Sequence, residues 1–366
     1  MPKSAVDVIG SAFEHTQMQL TQPFRFGQWA RLALLALATG EMSSGGGCNS
    51  SSWKGLGNFP SKFPNPSQNF SEPGDVLSRL GLDPAVIASI VLVLVVGFLV
   101  LGLVWLYVSS ISRFVLFEAV LRKHCDLREG WNRWYSQGIR YFGWQLALSF
   151  IGLAIAGVLF IPLLIPVFAT LKNHQQPGPA LFLAFLPMLF VFGIFGLFAM
   201  LIAVLTKDFV IPLMAVDKIG VIAGWQRLLV MMKAEKGSYV LYILMKAVLA
   251  IGAALVFGIL SGIVIVLLLL PIGIVGAVLF FVAKGAHLGW DAFTITAVVV
   301  AMAMLISLIL YVVALVGVPV AVFFPAYAMY FFAERYPALN ALLYPPPPAA
   351  EPPPIPPLSL APAPIG

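Results

Sequence analysis

The chain has 366 residues, of which 60% are hydrophobic and only 10% are charged, and its formal net charge is +6. A soluble globular domain is about 45–50% apolar and about 25% charged, so this composition excludes that class. The basic residues lie in short segments between long apolar runs and never form a long run of like charges, which argues against a nucleic-acid-binding protein. The composition instead predicts an all-α polytopic membrane protein, built as a transmembrane helical bundle.

Residues 1–25 form an amphipathic segment that lacks the basic stub and apolar core of a cleavable signal peptide. The transmembrane domain is predicted to follow at residues 26–343. Its first apolar run, Trp29–Gly40, holds only about a dozen apolar residues and includes Arg31. Such a run is either a short span or a helix in the membrane interface, and we favour the span.

A polar stretch at residues 41–84 is rich in Gly, Ser, Asn and Pro and predicts an irregular loop on the outer side. It holds Cys48 and two N-x-S triplets, at Asn49 and Asn69. The other cysteine is Cys125, which the predicted topology places on the opposite side of the membrane. Two unpaired thiols are therefore expected.

Four later runs are apolar enough and long enough to cross a bilayer, which takes about 20 residues. They are Ala85–Ser109, Phe142–Phe168, Leu181–Thr206 and Phe293–Val320. The run Tyr239–Ala283 exceeds one straight span, and Pro271 marks a place for a bend. This run either crosses once, which gives six spans in total, or forms a hairpin at Pro271, which gives seven.

The basic residues predict the orientation. Arg113–Arg140 holds six Lys or Arg residues and Lys207–Lys236 holds five, whereas the intervening "LKNHQQPGP" holds one. The positive-inside rule places the two basic segments in the cytoplasm, with both termini there if the chain has six spans. Residues 344–366 are predicted to be a disordered Pro-rich tail, either a solvated spacer or a docking site for a proline-reading partner.

One short phrase, Gly-Trp-amide-Arg, occurs twice. It is "GWNRW" at Gly130–Trp134 and "GWQRL" at Gly224–Leu228, and each copy follows a Phe-Val pair that ends a span. This spacing predicts a repeated unit of span, interfacial amphipathic helix and span, with a shortened version at "FRFGQWARLALLAL". Tryptophan at headgroup depth and arginine reaching phosphates are typical of such helices. The candidate lipid-interface residues are accordingly Trp131, Arg133, Trp225 and Arg227, either as anchors that fix span tilt or as readers of lipid headgroups.

Lys246 is the only charge deep within a predicted span, which makes it the candidate intramembrane charge. Its position eight residues into the run favours a lysine that snorkels to the inner headgroups, and a role in transport is the alternative. The four histidines are isolated, and no metal spacing, phosphate loop or carboxylate pair occurs in the sequence. No catalytic, cofactor or metal-binding residue is therefore assigned, and the protein is expected not to be an enzyme.

The order of "GWNRW", "FVIPLMAVDKIGVIAGWQRL" and the closing "VPVAVFFPAYAMYFFAERYPAL" resembles a group of uncharacterised bacterial membrane proteins. That group is related to the membrane domain found beside some glycerophosphodiester phosphodiesterases. The resemblance covers roughly Pro23 to Leu343. It implies a bacterial inner membrane and a six-span fold, and it carries no catalytic residue across.

These features predict an envelope accessory or scaffold component that contacts membrane lipids and a membrane-protein partner or a second copy of itself, without a cofactor or nucleic acid. The small-residue stretch "GILSG" from Gly258 permits close helix packing within the bundle or in a homodimer. The alternative function is a transporter that moves a lipid or small amphiphilic solute between the two repeats.

Overall fold

The computed structural model describes residues 4–22, 24–41, 84–172, 179–285 and 292–344. The predictions for Cys48, for Asn49 and Asn69, and for the Pro-rich tail beyond Tyr344 lie outside the described residues. So does the predicted outer loop, apart from the residues at its two ends.

All regular secondary structure in the described ranges is helical, which confirms the all-α prediction. The helices are α1 (Val8–Thr21), α2 (Phe26–Thr39), α3 (Pro84–Leu121), α4 (Leu127–Lys172), α5 (Pro179–Leu205), α6 (Ile211–Asp217), α7 (Val221–Ala234), α8 (Lys236–Gly285), α9 (Ala292–Ala333) and α10 (Pro337–Leu343). A five-residue π-helical segment, Thr206–Val210, joins α5 to α6.

Five of the described helices are long and apolar enough to cross a membrane, and they suggest a membrane protein. The candidate spans are Ala88–Leu121, Leu127–Ile161, Leu186–Asp217, Lys236–Val278 and Thr294–Ala333. They cover most of each of the four unambiguous apolar runs of the sequence and most of the long run after Tyr239. The long run forms part of a single helix, α8, which continues through Pro271, so the hairpin alternative is wrong.

The sixth predicted span, Trp29–Gly40, is not supported by the structure. Helix α2 has 14 residues, about 21 Å at 1.5 Å per residue, whereas the hydrocarbon core of a bilayer is about 30 Å thick. Gly40 ends it in the left-handed conformation, with φ of 72°. The next residue, Glu41, forms an ion pair with Lys207, which belongs to a segment predicted to be cytoplasmic. The two residues cannot lie on opposite sides of the membrane.

The buried core lies at one end of the bundle. There the C-terminal ends of α3, α5 and α9 meet the N-terminal ends of α4 and α8, and the shorter helices pack around them. Aromatic rings fill the centre, where the Phe209 ring packs against Tyr239, Tyr242, Phe331 and Phe332. The opposite halves of the long helices expose large apolar side chains to their surroundings. Such an apolar surface is compatible with surrounding lipid tails.

The two copies of the repeated phrase differ in secondary structure. The second copy lies on α7, a separate helix that ends before Glu235, whose backbone leaves the helical conformation at φ −131° and ψ 53°. The first copy lies in the opening turns of α4, which continues unbroken into a span. The interfacial helix predicted for the first copy is therefore not separate, since one unbroken helix contains both the phrase and the apolar run after it.

The turn between α3 and α4 contains Cys125, which is 2% exposed, and burial raises the pKa of its thiol to about 11. Only about one thiol in ten thousand is then ionised at pH 7, and the thiolate is the reactive form. In a Cys48→Ser background, we expect maleimide to modify Cys125 slowly in the folded protein, faster as the pH rises, and rapidly after unfolding in SDS. Rapid modification of the folded protein at pH 7 would show that the turn is open.

Candidate functional site

The π-helical segment Thr206–Val210 places two charged side chains next to one another in the core. Pro212 has no N–H group, and in an α-helix its ring would clash with the carbonyl of Asp208. Just before this proline the helix adopts π-helical geometry, so that the Ile211 N–H donates to the Thr206 carbonyl five residues back. Segments of this kind are frequent at functional sites. Here the segment carries Lys207 and Asp208.

Asp208 forms a buried ion pair with Lys246 of helix α8. The same carboxylate oxygen accepts a hydrogen bond from the Tyr242 hydroxyl at 2.9 Å. The Lys246 side chain is 9% exposed and its ammonium group lies 5.8 Å from the centre of the Phe324 ring. Lys246 therefore points into the protein and pairs with Asp208, which contradicts the interpretation of a lysine that snorkels to the headgroups.

Glu41 and Lys207 form a second ion pair beside the first. Glu41 is 3% exposed. Burial by itself would raise the pKa of this carboxyl, but the nearby charges of Lys207, Lys246 and Arg113 outweigh it and lower the pKa below its usual value. The carboxylate consequently stays ionised at neutral pH. The pair fastens the end of α2 to the π-helical segment.

Arg113 of helix α3 completes a cluster of five charged residues, which we call the charge network: Glu41, Arg113, Lys207, Asp208 and Lys246. The Arg113 guanidinium donates a hydrogen bond to the Tyr141 hydroxyl at 2.6 Å and lies over the same ring, 5.7 Å from its centre. Its Nε atom is buried and has no hydrogen-bond partner among the described residues. The network thus contains three cations and two carboxylates.

A small cavity of about 30 Å³ opens among these side chains. Four of the five network residues line it (Lys246 does not), together with apolar side chains that include Leu116, Phe117 and Met329. A bound water needs about 10–15 Å³, so the cavity has room for a very small ligand or for one or two waters.

The structure places Trp131 and Arg133 outside the charge network. The Trp131 ring is half-buried and meets Tyr107 edge-on, with 6.2 Å between ring centres. Arg133 forms ion pairs with Glu118 and, at 2.6 Å, with Glu129. Its charge is therefore balanced within the chain, which leaves it less available to a phosphate.

Trp225 and Arg227 also lie outside the network, on helix α7. Arg227 pairs with Asp217 at the end of α6. Trp225 is half-buried, and its ring N–H has no acceptor among the described residues. A lipid-interface role for these two residues and for the pair on α4 stays a prediction.

Of the five candidate residues from the sequence, only Lys246 belongs to the network. Its partner Asp208 is not a candidate from the sequence, because it lies just past the end of an apolar run, beside Lys207, where charged residues ordinarily mark the end of a span. A signal was present: in both copies of the repeat a charged residue directly precedes the Phe-Val pair, as "RFV" at Arg113 and "DFV" at Asp208. Both of these charged residues line the cavity.

The two copies make matching contacts. Arg113 and Asp208 each hydrogen-bond a tyrosine hydroxyl on the following long helix, Tyr141 and Tyr242 respectively. The glycine of each phrase packs against the valine of its Phe-Val pair. A Cβ atom at Gly130 would lie 2.9 Å from a Val115 methyl group, and the corresponding atom at Gly224 would lie 2.9 Å from a Val210 methyl group.

A protein-family model matches the chain over nearly its whole length. No curated protein and no solved structure matches the chain. The match shows no link to the membrane domain of glycerophosphodiester phosphodiesterases, so that part of the resemblance is not supported. The family model matches residues 3–342, and the chain therefore belongs to this family of unknown function, DUF7544.

Proposed function

We propose that the protein is an integral membrane protein without catalytic chemistry of its own, and that it acts as an accessory or scaffold component of the bacterial envelope. The observation that supports this proposal is the uneven packing of the five long helices. They share a buried core at one end, while their other halves expose large apolar side chains such as Leu189, Leu255 and Met304. Those halves offer extended apolar surfaces to lipid and to neighbouring membrane proteins.

Site-specific photo-crosslinking in intact cells tests the scaffold proposal. A photoreactive amino acid at Leu189, Leu255 or Met304 should give a discrete adduct with one membrane protein or with a second copy of the chain. The same amino acid at Tyr135, which is exposed at the core end, serves as the control. Adducts with lipid alone at all three apolar positions would contradict a scaffold role.

The charge network favours a second candidate function, a transporter of a lipid or small amphiphilic solute. Ionised residues within membrane segments commonly mark transport pathways, and Asp208 and Lys246 form such a pair beside a π-helical segment. Purified protein in vesicles that contain a fluorescent phospholipid distinguishes the two functions. A scaffold leaves lipid movement between leaflets as slow as in protein-free vesicles, and faster movement would favour the transporter.

We also infer that the chain contains two copies of one structural unit. The support is the set of matching contacts: a charged residue bonded to a tyrosine, and a Phe-Val valine against the glycine of Gly-Trp-amide-Arg. The spacing from this valine to the glycine is 15 residues in the first copy, Val115–Gly130, and 14 in the second, Val210–Gly224. The unit is defined by these contacts, whether or not the phrase lies on a helix of its own.

We further propose a bacterial inner-membrane location with the core end facing the cytoplasm. The basic segments Arg113–Arg140 and Lys207–Lys236 lie at this end, and the positive-inside rule favours the cytoplasm for them. Both terminal parts of the described chain are there too, since the Tyr327 hydroxyl donates to the Ala5 carbonyl. In a cysteine-free background, a membrane-impermeant maleimide should label a cysteine at Ser67 from outside intact cells and fail to label one at Ser136. The reverse pattern would overturn the orientation.

A further inference from the structure

The charge network has one more cation than it has carboxylates within the described residues. Lys246 is matched by Asp208 and Lys207 by Glu41. The remaining cation, Arg113, hydrogen-bonds only the neutral Tyr141 hydroxyl among the described residues, and its Nε atom is buried without a partner. The Arg113 charge also acts on the Glu41 carboxylate, but that carboxylate already pairs with Lys207. The Arg113 side chain is partly buried, and a guanidinium that is partly withdrawn from water is stabilised by an anion beside it.

Arginine cannot relieve this cost by losing its proton, because its pKa is too high for deprotonation in a protein. A lysine in the same position could become neutral. The compensation for Arg113 must come from a negative charge, and both carboxylates of the network already bind a lysine ammonium.

The cavity next to Arg113 has the size for such a charge. It measures about 30 Å³ and is lined by Arg113 and Lys207 together with the two carboxylates, and the rest of its lining is largely apolar. This is enough for a monatomic anion, with little space beyond that, since one water needs about 10–15 Å³. A divalent sulfate carries more negative charge than the single excess positive charge requires, and a lipid phosphate brings its glycerol as well.

We propose that this cavity binds a small monovalent anion of the halide class, with chloride as the physiological candidate, held between Arg113 and Lys207. The anion gives the network equal numbers of positive and negative charges. It thereby stabilises the junction of the turn after α2 with α3, the π-helical segment, α6 and α9, all of which contribute residues to the cavity. This site is independent of the scaffold role and of the transport alternative.

The test measures the thermal stability of the purified full-length protein in a zwitterionic detergent. Sodium chloride or bromide replaces sodium gluconate at constant ionic strength. We expect a saturable rise in Tm of about 3 °C or more, because a ligand that binds only the folded state stabilises it. Sodium sulfate at the same ionic strength should not reproduce the rise, and neither should added phosphatidylglycerol in gluconate buffer.

The variant Arg113→Gln removes the charge and keeps a side chain that can still reach Tyr141. We expect it to lose the halide response and, in gluconate, to be at least as stable as the wild type, since the excess positive charge that needs an anion is gone. The matched control is Arg128→Gln, which alters an exposed arginine on α4 and should keep the response. Broadening of the ³⁵Cl NMR line by the wild type and its absence with Arg113→Gln would show the binding directly.

Three results would overturn the proposal. The first is a Tm that does not distinguish halide from gluconate. The second is a halide response that survives in Arg113→Gln. The third is an equal response to sulfate or to the anionic lipid, which would assign the stabilisation to ionic strength or to a larger phosphate ligand.

Discussion

Lys246→Met should lower both the thermal stability of the protein and its amount in the membrane. The substitution leaves the Asp208 carboxylate buried with only the Tyr242 hydroxyl as a described partner, at 2.9 Å. Removing one member of a buried ion pair typically costs about 3–5 kcal/mol, because the other charge stays buried and unbalanced. Thermal unfolding in detergent and quantitative immunoblotting of membranes measure the two effects.

The double variant Asp208→Asn/Lys246→Met removes both charges and keeps a polar group for Tyr242. We expect it to recover most of the lost stability, since replacing a whole buried pair is often close to neutral. The control is Lys236→Met, which changes an exposed lysine in the first turn of the same helix and should have little effect. If Lys246→Met were as stable as this control, the ion pair would be unimportant, and a snorkelling lysine would again be the better interpretation.

The fold class and five candidate spans were predictable because hydropathy over about 20 residues is a strong local signal. The sixth predicted span is wrong, because the apolar residues of Trp29–Gly40 pack largely inside the protein and do not cross the membrane. Leu32 and Ala36 are fully buried against neighbouring helices, so this helix is apolar because it lies in a protein core. A run of a dozen apolar residues looks the same in either setting.

The charge network was harder to predict, because it forms between residues far apart in the chain. Glu41 and Lys207 are 166 positions apart, and no local pattern links them. Lys246 stood out because it interrupts an apolar run, whereas Asp208 lies at the end of one and looks like an ordinary boundary charge. The proline at 212 gave an indirect clue, since it disturbs the helix at the point where Asp208 turns inward.

Gly138→Ala should destabilise the hairpin formed by α3 and α4, although alanine favours helix. A Cβ atom at this position would lie 2.5 Å from Cγ1 of Ile111 and 3.1 Å from its Cα. The second distance involves backbone, which a change of rotamer cannot relieve, so the two helices must move apart. Overpacking of this kind typically costs about 1–3 kcal/mol, more than the roughly 1 kcal/mol that alanine gains over glycine within a helix. A lower Tm is the expected result.

Gly143→Ala is the matched control on the same helix, five residues later, where an added Cβ meets no atom within 4 Å. There the gain in helix propensity acts alone, so the Tm should stay the same or rise.

The two copies of the repeat should respond alike to an added methyl group. Gly130→Ala and Gly224→Ala should each lower the Tm, because a valine in a helix has essentially one rotamer and its methyl group cannot turn away. Shortening that valine should restore stability in both copies, as Gly130→Ala/Val115→Ala and Gly224→Ala/Val210→Ala. Rescue in one copy and not in the other would show that the two glycines serve different contacts, and the inference of a repeated unit would fail.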